Sequence, residues 1–353
     1  MSRLKKFNII LGAVNFILLA AAAILMGRIS LLEGKYAADS AKSAWDGGKY
    51  EYSQVSVYLP RKAAVDVMGV YSLRSSAEAK LKEASLAADK ENTDGRLWLD
   101  CASGESELTL EGRLGSCAAA ATGTFGDYFL FHPEKILFGS YYTSEDINID
   151  RIVIDKECSW QLFGAMETVG MPVNIGNRVF YVAAVVDSPD DETDRLAYGN
   201  KPRAYMPFEV LKSLDGTAAM TCYEACMPNE IRDFAYNTVK AINPAGESAV
   251  VVDQSARFGL IKLIKEAELI PESVMVLSEA VIPHFENRIR TGELYARLSA
   301  RVLPFLLIIP VLSLVYLLYM LTRLAGKGAR SFVSKAEERY QKKISERYYR
   351  DRK

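Results

Sequence analysis

Hydrophobic and polar positions divide this chain into two apolar runs and a long alternating stretch between them. Residues 302–322 are 21 uncharged residues set between Arg301 and Arg323. As a helix rising about 1.5 Å per residue, that run crosses a hydrocarbon layer of roughly 30 Å. It contains Pro304 and Pro310, which a membrane helix carries more readily than a buried soluble one. Residues 7–27 form a second run of spanning length behind Arg3, Lys5 and Lys6. A secretory signal shares that charge pattern but has a shorter apolar core, so an uncleaved anchor is expected. Asn15, in mid-run, is a costly amide in lipid and predicts a hydrogen bond to another helix, of this chain or of a partner, a homodimer included.

Between the runs the period switches repeatedly between helix and strand. Residues 28–54 continue the first helix until Gly47-Gly48, and residues 52–59 alternate as a half-buried strand that Val65–Val70 extends or pairs. A surface helix is expected over 75–89, capped by Ser75 or Ser76. Strands follow at 97–99, 107–122 and 150–155, then a helix over 156–163 stopped by Gly164 and a hairpin turning at Gly176-Asn177. Beyond it lie a strand at 203–208, a helix at 208–214, a helix from Asn229 to Ile242, a strand at 248–252 and a helical stalk over 284–298. The pattern is that of an α+β domain, residues 28–300, inserted between membrane helices at 7–27 and 302–322.

Charge orients this arrangement. The net charge of −1 hides four basic and no acidic groups in residues 1–28, and 11 basic against 4 acidic in residues 323–353. The remainder is acidic. Basic juxtamembrane ends are retained in the cytoplasm, which places residues 1–6 and 323–353 inside, the central domain outside, and the whole protein in the plasma membrane. An acidic domain excludes nucleic acid as a partner. In the tail Phe332, Ala336, Tyr340, Ile344 and Tyr348 recur every four residues among basic groups, a basic amphipathic helix. Its Lys342, Lys343, Arg347 and Arg350 are candidates for contact with anionic lipid or a soluble partner subunit.

All five cysteines lie in the domain. Cys101 with Cys117, and Cys222 with Cys226, could form disulfides there, while Cys158 is expected to be a small buried hydrophobe. With His132 and His284 the only histidines and no CxxC, neither a metal site nor a cofactor is expected. His284 is taken as an ordinary stalk residue rather than a pH sensor. The acidic run 188–194 lacks the EF-hand spacing and is expected to be a solvated loop. No HExxH, GxSxG or P-loop is present, so the chain is not expected to be an enzyme.

The order GxxxxYF, ILFGSYYTSED, RIVIDKECSWQLFG, VGMPVNIGNRVFYVAAVV, PRAYMPFEVL resembles the extracytoplasmic core domain of ABC transporter permeases of the MacB and FtsX superfamily. The matching positions include Tyr128, Phe129, Gly139, Glu145, Asp146, Leu162, Phe163, Gly164 and Gly170, with Gly176 at the following turn. Ser140 stands where the family usually has arginine. Each position also has a plain structural role in packing or turning. The resemblance implies a MacB-like domain in a short two-span form, working with other membrane subunits and a separate cytoplasmic ABC ATPase. The other reading of the same layout is a membrane-anchored binding, sensor or scaffold protein that needs no ATPase.

Overall fold

Asp66 decides where the helix after the first strand begins. Its carboxylate accepts the Gly69 N–H at 2.7 Å, an N-cap that starts a helix at Val67. The Ser75/Ser76 cap is therefore corrected, as is the strand expected over Val65–Val70. The computed structural model describes residues 3–45, 50–87, 95–143, 149–188, 192–265 and 279–350. Helices are α1 (Arg3–Tyr36), α2 (Ser40–Ala44), α3 (Val67–Glu83), α4 (Tyr128–Phe131), α5 (Lys156–Phe163), α6 (Glu192–Ala197), α7 (Phe208–Leu214), α8 (Phe234–Ile242), α9 (Leu260–Lys265) and α10 (His284–Arg350). Strands are β1 (Tyr52–Tyr58), β2 (Leu99–Glu111), β3 (Ser116–Gly126), β4 (Ile136–Gly139), β5 (Arg151–Asp155), β6 (Pro172–Ile175), β7 (Arg178–Val186), β8 (Arg203–Pro207), β9 (Cys222–Pro228) and β10 (Val250–Asp253).

The chain divides into two compact units, residues 29–298 and residues 1–28 with 299–353. In the larger unit the strands run in the order β10-β1-β9-β2-β3-β8-β5-β7-β4, with β6 pairing β2 and β7. The β3–β8 and β5–β7 pairs are parallel and the remaining pairs antiparallel, so the sheet is mixed. Alternation along each strand gives the sheet two faces of different character. One face is mainly apolar, with Asp100 of β2 buried on it and bonded by Arg74 of α3 and by the Tyr223 hydroxyl. Val55, Val57, Tyr223 and Ala225 meet α3 and α8, while Ile152, Ile154, Phe180, Val182 and Met206 meet α5 and α7. The other face starts at Tyr52, Gln54, Ser56 and Tyr58 of β1 and is occupied by polar groups around a small aromatic cluster.

Sequence patterning misjudged three segments here. Strand β1 is buried along its whole length, not half-buried, because β9 and β10 flank it and both faces are covered. Strand β9 lies inside the sheet between β1 and β2, in a stretch to which sequence patterning assigned no strand. The helix that follows starts at Phe234, and Asn229 stays outside it, its side-chain oxygen accepting the Ala235 N–H at 3.1 Å. Helix α5 begins on Asp155, whose carboxylate accepts the Cys158 N–H at 2.8 Å, and ends on Gly164 in the left-handed region at φ +67. That conformation favours glycine.

The smaller unit contains the apolar parts of α1 and α10, both long and apolar enough to cross a membrane. Within it the Ser313 hydroxyl donates to Asn15 Oδ1 at 3.3 Å.

Candidate functional site

The polar face of the sheet is organised by what strand alternation forces inward. Ser56 and Tyr58 of β1 point to the same side as Glu224 of β9 and Cys101 of β2. Against them lies the first part of α10, His284–Leu298, whose charges alternate in sign at helical spacing. A dense set of buried ion pairs results. Arg257, in the turn after β10, is 4% exposed and grips Glu286 with both terminal nitrogens, 2.9 Å each. Its Nε donates to Glu293 at 2.5 Å, about two turns further along the same face of α10. Glu286 has no exposed side-chain surface, yet it also accepts from the Tyr58 hydroxyl at 2.7 Å and from Arg290 at 2.8 Å. Glu293 in turn accepts from Arg297 at 2.5 Å. Gln254 closes the group by donating to Ser56 Oγ and to the Tyr58 hydroxyl, 3.1 Å each.

A second set adjoins the first. Ser56 Oγ donates to the buried Glu224 at 2.6 Å, and Glu224 also contacts His132 Nε2 and the Cys101 thiol. The His132 ring lies 4.0 Å from the Phe285 ring, so the sheet, α4's trailing residue and the helix foot converge at one point. Glu105 of β2 accepts the His284 backbone N–H at 2.9 Å, and the His284 ring nitrogen Nδ1 is 3.8 Å from the same carboxylate.

Burial sets the electrostatics of this region. It pushes the Tyr58 phenol well up, and the neighbouring Glu286 carboxylate adds to that. Burial alone would lower Arg257, but Glu286 and Glu293 outweigh it and hold the guanidinium above its ordinary range. Glu105 is raised by burial, with His284 opposing. Buried ion pairs of this kind add little net stability, because desolvation offsets most of the Coulomb gain, yet removing one partner is costly. The arrangement therefore suits fixing where α10 sits on the sheet rather than chemistry on a bound substrate. No group of three His, Cys, Asp or Glu is placed to hold a metal ion among the described residues.

The start of α10 is also keyed to the end of α1. Gly292 sits against the Tyr36 ring so closely that a Cβ there would lie 2.3 Å from Tyr36 Cγ. Arg288 lies over the same ring at 5.3 Å and donates to the Lys35 carbonyl at 3.0 Å.

Residues singled out from the sequence fall mainly elsewhere. Tyr128 and Phe129 lie in α4, where Phe129 stacks on Tyr141 with centroids 4.0 Å apart. Leu162 and Phe163 are buried in the apolar layer, and Gly170 and Gly176 adopt positive φ at turns. Gly139, at φ +80, has the strictest requirement, since a Cβ would lie 2.1 Å from the Ala183 carbonyl oxygen. Glu145 and Asp146 lie outside the described residues, as do the side chains of Lys343, Arg347 and Arg350 in the tail of α10; Lys342 is exposed there. At the end of the acidic run, Asp194 accepts from Arg288 at 2.9 Å.

Both proposed disulfides are corrected. Cys101 faces Gly126 at one end of the β2–β3 ladder and Cys117 faces Leu110 near the other. At about 3.4 Å per residue they are roughly 30 Å apart. Cys222 and Cys226 share one strand, roughly 13 Å apart by the same measure, and a bridge requires less than about 7 Å between Cα atoms. All five cysteines are free and buried. Cys158 instead lies beside Cys117, whose hydrogen bond, reinforced by burial, pushes the Cys158 thiol up. The ion-paired groups Arg257, Glu286, Glu293 and Glu224 were not anticipated. The available signals were the alternating charges of HFENRIRTGELYAR and the lone Glu224 between two cysteines in a strand-like run.

No protein-family model matches the sequence, and no curated protein matches it. Solved structures align with part of the chain at low similarity. The extracellular domain of a noncanonic ABC-type transporter, YknZ, from Gram-positive bacteria aligns at 16% identity and a TM-score of 0.40, over 57% of this chain and all of that one. The periplasmic region of MacB from Actinobacillus actinomycetemcomitans aligns at 14% identity and a TM-score of 0.40, over 59% of this chain and 92% of that one. A domain of a putative permease from Porphyromonas gingivalis aligns at 10% identity and a TM-score of 0.30, over 54% and 79%.

Proposed function

We propose that this protein is a non-catalytic membrane subunit of an ABC-type transport or mechanotransmission complex, coupling a separate cytoplasmic ATPase to a domain outside the membrane. The observation that carries the reading is α10. One helix contains the ion-paired foot against the sheet, the apolar run with Pro304 and Pro310, and the basic tail. Movement imposed on such a helix reaches the domain through contacts that are directional and buried, where an apolar seat would allow sliding. The positive-inside rule supports a cytoplasmic tail, available to an ATPase or to anionic lipid, and an outer domain. The order of motifs shared with MacB and FtsX permeases supports the same role, and in that setting further membrane helices come from partner subunits or a second copy.

A binding or scaffold role without an ATPase is favoured by a different observation. A cavity of about 250 Å³ opens among Tyr71, Phe125, Phe129, Tyr142 and Phe208, with Thr124, Thr143 and Glu209 completing a mixed aromatic and polar lining that can hold a small ligand. Purification from the native host in mild detergent, with bound subunits identified by mass spectrometry, separates the two. The transport reading expects an ABC ATPase at near-stoichiometric amount. Recovery without any ATPase or multi-span subunit, even after crosslinking in intact cells, overturns it.

A further inference from the structure

The aromatic cavity lies where β3 and β8 end together. These strands run parallel, with Thr124 opposite Pro207, so one rim is the end of β3 and another is the turn from Pro207 into α7. Rings supply much of the wall, and they are fixed before any ligand arrives. Tyr71 of α3 meets Phe125 at 90° with centroids 6.0 Å apart, and Phe129 meets Tyr142 at 76° and 5.4 Å. The Tyr142 hydroxyl is hydrogen-bonded to Thr124 Oγ1 at 2.8 Å, and Phe129 is stacked on Tyr141. The corner of a perpendicular pair is bounded by ring faces, and the face is the negative part of the aromatic quadrupole.

Charge at the cavity has one sign. Glu209, exposed in the first turn of α7, is the charged side chain among the described lining residues, and no Lys or Arg is among them. Arg74 lies over the Tyr71 and Phe125 rings, at 5.4 and 5.2 Å, but outside the lining, and its Nε donates to Asp100 at 2.8 Å. These two rings already accept a cation there. An anion in the cavity would meet a carboxylate and negative ring faces, and a small metal cation would give up its water for rings that replace it poorly. An ammonium clothed in methyl groups loses little hydration and is attracted by both ring faces and carboxylate.

We propose that this cavity is a binding site for a methylated organic ammonium, the chemistry of choline, with Glu209 as its counter-charge and Tyr71, Phe125, Phe129 and Tyr142 as the rings around it. The assignment rests on the binding reading of the same cavity. It needs no ATPase, so copurification without one leaves it standing.

The test is a ligand-observed NMR titration of the full chain in dodecyl maltoside, with two probes. One is choline and the other is the neutral alcohol in which carbon replaces the choline nitrogen, the same shape without the charge. Choline should saturate one site with a Kd of about 1 mM, and the alcohol should bind about tenfold more weakly. Glu209→Gln should weaken choline about fivefold and leave the alcohol unchanged. Tyr71→Ala, at a residue that is 50% exposed and so tolerant of truncation, should weaken choline by a similar factor. Glu247→Gln, at an exposed acid between α8 and β10, should change nothing, which separates the site from general attraction to an acidic domain. Equal affinity for the two probes overturns the ammonium assignment and keeps a small-ligand cavity. Saturation by neither up to roughly 20 mM overturns the assignment and the binding reading together. Full choline affinity in both Glu209→Gln and Tyr71→Ala overturns the site.

Discussion

The two faces of the one sheet solve the same burial problem by different means. On the face covered by α3, α5, α7 and α8, side chains such as Phe180, Leu162 and Val57 are buried among other apolar groups, and the buried Asp100 there is bonded by Arg74 and Tyr223. On the face under the foot of α10, the buried residues include Arg257, Glu224, Glu286 and Glu293. Apolar contacts are non-directional and supply most of the stabilisation, so the first face holds the domain together. Ion pairs with two or three hydrogen bonds each have one acceptable geometry, so the second face fixes the position of a single helix. A hydrophobic seat of the same area would be at least as stable but would tolerate more arrangements, and retaining charge there is best explained by specificity.

Substitutions can separate these two contributions, from the largest effect to the smallest. Phe180→Ala empties a fully buried position on the apolar face and should cost about 4 kcal/mol in denaturant unfolding of the domain. Arg257→Met leaves two buried carboxylates short of a partner and should cost about 3 kcal/mol. The combined Arg257→Met, Glu286→Met and Glu293→Leu change should recover to within about 1 kcal/mol of the natural protein while raising exchange over residues 284–298. If the combined variant keeps full protection there, the polar face does not position α10 and the comparison fails. Gly139→Ala, at φ +80 and against the Ala183 carbonyl, should cost about 2 kcal/mol without altering that protection.

The smallest effect concerns an ion pair at the edge of the sheet. Asp187 is held down at about 2 by hydrogen bonds from Lys156 and Lys135. Because its folded value is depressed, its stabilisation is present above the unfolded aspartate value near 4 and disappears as pH falls through about 2. Asp187→Asn should remove no more than about 1 kcal/mol at neutral pH and flatten the acid limb of the stability curve between roughly pH 4 and 2. An unchanged acid limb would show that the pair is screened by solvent.

Much of the apolar face was legible in the sequence, and the reasons are local. Helix α5 announces itself through Asp155 at its start and Gly164 at its end, and the β6–β7 hairpin through Gly176-Asn177. Two long uncharged runs mark the helices of the smaller unit. The polar face was illegible because its logic is non-local. Arg257 and Glu286 are 29 residues apart, and Tyr58 reaches Glu286 across 228. Charges that look like a solvated stalk become buried only when β1 and β9 lie side by side, and β9 itself was missed because Glu224 breaks its apolar pattern. The cysteine pairings failed for a related reason: spacing along the chain suggested proximity, while the ladder places Cys101 and Cys117 near opposite ends of a long hairpin.

Gly292 and Tyr36 bear on how motion could enter the domain. A ring seated where no Cβ fits, with Arg288 laid across it, behaves as a key in a slot between the last turn of α1 and the first turns of α10. Turning either helix about its own axis would drive the ring into backbone, so the two ends of the chain enter the domain with their rotations geared together. A torque delivered at either one is thereby shared by both.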